Sequence, residues 1–149
     1  MTDLGKGDIL IVDDTLANLQ VLGGILKEEG YRVRPVPSGS IALRAVAQTL
    51  PDLILLDIKM PDMDGYEVCR QLKASPHFRE VPVVFLSGLS DSEDKAKAYQ
   101  AGGVGYITKP FQFEEVMSSV HAHLLTARLK RELAECRERL QQFVAGSDG

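Results

Sequence analysis

The sequence predicts a doubly wound α/β sandwich, five successive βα units around a parallel sheet. Three observations predict it. Short, largely apolar runs occupy residues 9–12, 53–56, 83–86 and 104–108, the pattern of strands buried on both faces. Segments of helix length, with apolar residues at a 3.6-residue period, separate these runs. Turn and cap residues punctuate the alternation, so strand and helix follow each other five times.

The elements follow in order. Residues 1–6 read as a mobile tail before the first strand, which ends at Val12. Leu16, Leu19, Leu22, Ile25 and Leu26 define a helix with Gly30 at its C-terminal cap. Residues 31–36 alternate apolar side chains with Arg32 and Arg34, and Pro35 places this strand at a sheet edge. Ser38 caps a second helix, whose face is read as Leu43, Val46, Ala47 and Leu50. After the run ending at Asp57, a turn-rich loop over 60–65 leads to a capping box of Asp64 and Glu67. That third helix runs to about Ala74, and Pro76 and Pro82 bracket the loop before the fourth strand. Ser90 with Glu93 forms a second capping box, and Gly102-Gly103 closes the fourth helix. The fifth strand reaches Thr108, and the last helix starts near Gln112.

That last helix is too long for the domain. Val116 and Val120 suit packing on the sheet, but Leu129, Leu133, Cys136, Leu140 and Phe143 follow gaps of 4, 3, 4 and 3, the seam of a coiled coil. With Leu133 and Leu140 at a positions, Glu132 at g faces Arg137 at the following e across a parallel homodimer. The competing reading is one amphipathic helix lying on the domain. The expected division is tail 1–6, domain 7–125, helical coiled-coil linker 126–144 and flexible end 145–149.

Composition excludes several classes. With 44% apolar residues the chain can build a core, and a net charge of −4 disfavours a nucleic-acid surface. No apolar run is long enough to span a bilayer, and no signal-peptide pattern opens the chain. Cys69 and Cys136 lack metal-ligand spacing, so a cytoplasmic, reducing setting is expected.

The chemistry sits where the strands end. Asp13-Asp14, Asp57, Ser87 and Lys109 each close an apolar run, and parallel α/β sheets collect ligands at the carboxyl ends of their strands. Seen singly, an acidic pair after a strand is a helix cap and Lys-Pro a loop dipeptide; their joint placement on four strand ends argues for a site. Three carboxylates without His or Cys suit Mg²⁺, with Mn²⁺ as the alternative. A divalent ion plus an ammonium beside a carboxylate nucleophile is what phosphoryl transfer requires. Ser87 would donate a hydrogen bond to the arriving group.

The stretches IVDDTLAN (11–18), PDLILLDIKMPDMDGYE (51–67), VVFLSG (83–88) and YITKPF (106–111) together resemble the receiver domain of two-component response regulators. The resemblance implies a flavodoxin-like sheet of order 2-1-3-4-5. It implies that Asp57 accepts a phosphoryl group from a histidine kinase or phosphotransfer protein. Asp13, Asp14 and the Lys59 backbone carbonyl would hold Mg²⁺ with Asp57, and Lys109 would contact the phosphoryl group. Ser87 and Tyr106 would be the switch pair, and the bond before Pro110 would be cis. Lys59 and Leu89 occupy the variable positions flanking the site, and Gly105 stands where the family often has an acidic residue. The helical extension fits a following output domain of histidine kinase or diguanylate cyclase type. Two rival functions are a phosphorylation-independent dimerisation scaffold and an aspartyl-phosphate phosphohydrolase. The second lacks an acidic residue at Lys59, two places after Asp57, to serve as general acid.

Overall fold

In the computed structural model, residues 6–88 and 92–147 are described. The elements are β1 (Asp8–Val12), α1 (Leu16–Glu28), β2 (Arg32–Val36), α2 (Gly39–Gln48), β3 (Leu53–Asp57), α3 (Gly65–Ala74), β4 (Val83–Ser87), α4 (Ser92–Gln100), β5 (Gly105–Thr108) and α5 (Phe113–Ser147). All strand pairs are parallel and the order is β2-β1-β3-β4-β5. The Pro-containing β2 lies at one edge, where the missing N–H costs no central ladder bond.

Period two along the central strands divides the core. Leu10, Val12, Ile54, Leu56, Val83 and Phe85 face α2 and α3; Ile9, Ile11, Leu53, Leu55, Val84 and Leu86 face α1 and α5. Each fully buried Leu or Ile stabilises the fold by about 1.5–3 kcal/mol. Consecutive apolar residues are therefore both needed, which is why these strands lack polar alternation.

Caps follow the expected residues with local differences. Gly30, at φ 95°, ends α1 while its N–H donates to the Lys27 carbonyl, and the Tyr31 N–H donates to that of Leu26. The Ser38 hydroxyl accepts from the Ile41 N–H at 3.3 Å, and Asp64 Oδ1 from the Glu67 N–H at 2.9 Å. Glu67 turns its own carboxylate to Arg70 and Gln71, so only half of that capping box forms. Ser90 and Leu89 lie outside the described residues. The buried face of α2 is Gly39, Ala42 and Val46, with Leu43 half-buried; Ala47 is exposed within the helix, and Leu50 is exposed beyond its end at Gln48. Leu16, the first residue of α1, is also exposed.

Two glycines answer to close approach. A Cβ on Gly65 would overlap the Asp57 carbonyl oxygen, and the Gly65 N–H donates to the Ile58 carbonyl at 2.7 Å. The start of α3 thus presses on the end of β3. Gly65→Ala is expected to lower stability by about 1–3 kcal/mol, the cost of overpacking against backbone, readable as a shift in the urea midpoint. A Cβ on Gly105 would overlap the His123 ring, which fills the space beside that glycine. His121 is exposed as a surface helix residue should be, but His123 is not: it is half-buried, and burial holds its pKa below the ordinary value.

Helix α5 spans 35 residues, about 50 Å at 1.5 Å per residue. Val116, Val120 and Leu124 are buried on the sheet, and no described residue after Leu124 is. The seam residues Leu129, Leu133, Leu140 and Phe143 are 51–74% exposed, so the helix does not lie on the domain through that stripe. Arg128 Nη2 donates to the Lys6 carbonyl at 2.5 Å, and Arg131 stands 3.8 Å from Asp52. Lys6, expected in the tail, is thus held, and its ammonium also sits 5.5 Å over the Tyr31 ring. Residues 145–147, expected in a flexible end, continue the helix, each added residue gaining a backbone bond.

Candidate phosphoacceptor and metal site

Register alone brings the site together. Val12 pairs with Leu56, so the next residues, Asp13 and Asp57, emerge from neighbouring strands. Leu86 pairs with Asp57 and Ser87 with Thr108, which sets Ser87 beside Asp57 and Lys109 just beyond Ser87. Adjacent strands lie about 4.8 Å apart, so these ends meet on one rim. The reversal of strand order between β1 and β3 opens the crevice there.

Asp13, Asp14 and Asp57 each offer one carboxylate oxygen within 4.8 Å of the others. Asp13 and Asp57 are buried and Asp14 is exposed. Lys109 Nζ donates to Asp57 Oδ1 at 3.1 Å and lies 3.4 Å from Asp13 Oδ2. Its backbone N–H donates to the Ser87 carbonyl at 2.6 Å, and the Lys109–Pro110 bond is cis. A pocket of about 260 Å³ opens here, bounded by Asp14, Asp57, Lys59, Ser87 and Lys109. Tyr106 sits half-buried on β5, with the Lys95 ammonium 5.4 Å from its ring centre.

Asp13 is held by two groups that the sequence reading did not single out. The Thr15 N–H donates to Oδ1 at 2.9 Å and the Asn18 amide to Oδ2 at 3.1 Å. The signal was present: an amide in the first turn of α1, five residues after the carboxylate.

Burial first, then the Asp13 charge, pushes Asp57 up to about 6, with Lys109 opposing both. For Lys109, burial pulls downward, but the bond to Asp57 and the charges of Asp57 and Asp13 prevail and raise it. The two directions agree physically: the lysine meets two carboxylates, whereas Asp57 meets two carboxylates and one ammonium. The site carries excess negative charge, and an all-oxygen donor set fits a hard divalent cation.

A measurable consequence follows for the metal-free protein. A carboxyl whose pKa rises on folding stabilises the fold below its unfolded value of 3.8, and that stability is lost as pH rises through about 6. Asn does not titrate. Asp57→Asn is therefore expected to be more stable than wild type by about 1–3 kcal/mol at pH 8, and the difference should vanish toward pH 4. Urea titrations in EDTA at several pH values check it; a constant difference would place the cause outside Asp57 ionisation.

Fold and rim together define a class: a doubly wound α/β protein with three carboxylates and a lysine at the carboxyl end of its sheet. The chain belongs to the response regulator receiver domain family, whose pattern matches residues 9–121. It is 40% identical over 149 residues to a probable cyclic di-GMP phosphodiesterase of Vibrio cholerae, covering 100% of this chain and 34% of that protein. It is 40% identical over 131 residues to the response regulator PleD of Caulobacter vibrioides, covering 88% of this chain and 28% of that protein. A solved receiver domain of a signal transduction histidine kinase from Syntrophus aciditrophicus superposes with a TM-score of 0.75 at 41% identity, covering 80% of this chain and 91% of that one. The chain thus spans about a third or less of those two curated relatives. No helix among the described residues is long and apolar enough to cross a membrane.

Proposed function

We propose that Asp57 is the phosphoacceptor of this receiver and that α5 carries the resulting change to an output domain or partner. The observation that supports it is the Lys109 ammonium 3.1 Å from Asp57 Oδ1, beside two further carboxylates. An Asp57 oxygen attacks the phosphorus of a phosphohistidine on a kinase or phosphotransfer protein. The P–N bond breaks and its electron pair stays on the imidazole. Asp13, Asp14 and Asp57, with the Lys59 carbonyl, would hold Mg²⁺ or Mn²⁺, which when bound offsets charge on the phosphoryl oxygens. Lys109 leaves part of its pairing with Asp57 to meet the transferred group. Ser87, at the end of β4, donates to a phosphoryl oxygen, and Tyr106 follows on β5. The module itself is a signalling domain rather than a turnover enzyme. A cytoplasmic setting suits its two free cysteines.

The output end rests on the exposed seam. Its 4,3 spacing fits a parallel homodimer in which residues 126–144 join the domain to a partner of histidine kinase or diguanylate cyclase type. That the seam is exposed in the unphosphorylated chain also favours a second reading, a constitutive dimer with no switch. Sedimentation with Mg²⁺, with and without beryllofluoride, separates the two. A dimer population that rises with beryllofluoride supports the switch; a dimer of equal strength in both supports the scaffold.

A further inference from the structure

A second cavity lies at the opposite end of the sheet from Asp57. It is a groove of about 470 Å³ between the stem of α5 and the loops that enter β3 and β4. That size falls within the range of small-molecule sites, and the groove exceeds the 260 Å³ pocket at the rim. Its floor is apolar. Leu50 and Val104, 53% and 37% exposed, reach into it beside Val81 and the half-buried His123. His123 reaches that floor because Gly105 lacks a Cβ.

Its charge is opposite to that of the chain. Lys73, Arg79, Lys130 and Arg131 line the groove against Asp52 and Glu80, four cations to two anions on a protein of net charge −4. Asp52 is already engaged: its Oδ2 accepts from the Asp8 N–H at 2.8 Å, and Arg131 stands 3.8 Å from Oδ1. Lys73 is the fixed cation. Its ammonium donates to the carbonyls of Val81 at 2.7 Å and Arg79 at 2.9 Å, leaving one of its three N–H groups without a protein acceptor among the described residues. Burial pulls its pKa below the ordinary lysine value, only partly opposed by Cys69 and Glu80, and no carboxylate among the described residues lies within ion-pair distance of it.

We propose that this groove is a binding site for a small organic anion, an apolar, planar body with one acidic group directed to Lys73, Arg79 and Lys130. The apolar floor takes the body and the local cations take the charge. The groove lies beside the coiled-coil seam: Ala127 and Ala134 sit roughly a third of a turn or more around α5 from Leu129, Leu133 and Leu140, whereas Lys130 flanks the seam and Thr126 lies one heptad before Leu133. Since one wall is the root of α5, an occupant bridges that helix to the loops before β3 and β4. Binding there would fix the direction in which the helix leaves the domain, a second input beside the acceptor rim.

The test uses anilinonaphthalene sulfonate as the anion and N-phenylnaphthylamine as its uncharged counterpart, with the full chain in native buffer. The sulfonate is expected to bind saturably at one site per chain, with amide shift changes gathered on Val81, Val104, His123 and Lys130. The neutral analogue should bind about tenfold more weakly or worse, the loss of one charge-assisted contact. Arg79→Glu and Lys130→Glu, exposed positions on two different walls, should each weaken the sulfonate by a similar factor while leaving far-UV dichroism unchanged. Absence of saturable binding, equal affinity for the neutral analogue, or shifts gathered on Leu129, Leu133 and Leu140 would overturn the proposal.

Discussion

An Asp57→Asn chain is expected to take up no phosphoryl group from acetyl phosphate and Mg²⁺ under conditions that label wild type. The reason lies in the rim geometry. Of the two buried carboxylates beside Lys109, Asp57 makes the shorter contact and is the one that lines the pocket from which a donor would approach. An amide at this position keeps the shape and a hydrogen bond to the lysine but loses the nucleophilic oxygen. In acetyl phosphate the P–O bond to the acetyl group breaks and acetate leaves with the electron pair. Without a carboxylate to replace it, the rate should drop by roughly a thousandfold or more, since a nucleophile is removed rather than displaced. Asp14 is an internal control: it is exposed, and among the described residues the Lys109 ammonium pairs with Asp57 and Asp13 instead. Incorporation of label followed by peptide mapping decides the matter. Undiminished labelling of the variant would remove Asp57 from the acceptor role.

Lys109→Met should cost stability as well as switching. In wild type the ammonium sits 3.1 Å from Asp57 and 3.4 Å from Asp13, two buried carboxylates that otherwise face each other. Removing the cation leaves that repulsion in a poorly solvated site, a loss of about 3–5 kcal/mol for an uncompensated buried charge. The loss is bounded, because Asp57 already titrates near 6 and protonation relieves the repulsion. The deficit should therefore be largest above pH 7 in EDTA, shrink as pH falls through the range in which Asp57 takes its proton, and shrink on adding Mg²⁺. Denaturant titrations across pH, with and without Mg²⁺, measure it. A deficit independent of both would mean that Lys109 acts through packing alone.

Much of this molecule is legible without coordinates. Continuous apolar runs such as Leu53-Ile54-Leu55-Leu56 place the central strands, because a strand buried on both faces has no polar side. Pro35 marks the edge strand, and Gly30, Ser38 and Asp64 mark helix ends through local hydrogen bonding. Helix faces were harder. Ala47 and Leu50 keep the right period but are exposed, since periodicity does not say which neighbours a helix face will meet. The half-burial of His123 is invisible in its own helix, because the room for it comes from Gly105 on another element.

The five rim positions show the same division. That Asp13, Asp14, Asp57, Ser87 and Lys109 each end an apolar run is a local fact, carried by residue type and spacing. That they approach one another depends on parallel pairing and register, Val12 against Leu56 and Ser87 against Thr108, which no single segment encodes. The supports of Asp13 at Thr15 and Asn18 are local, but the elevated Asp57 and the basic groove beneath α5 arise only when distant segments pack. Chain-local chemistry selects the elements and the reacting groups. Distances, burial and electric fields are properties of pairs, and pairs exist only once the sheet has formed.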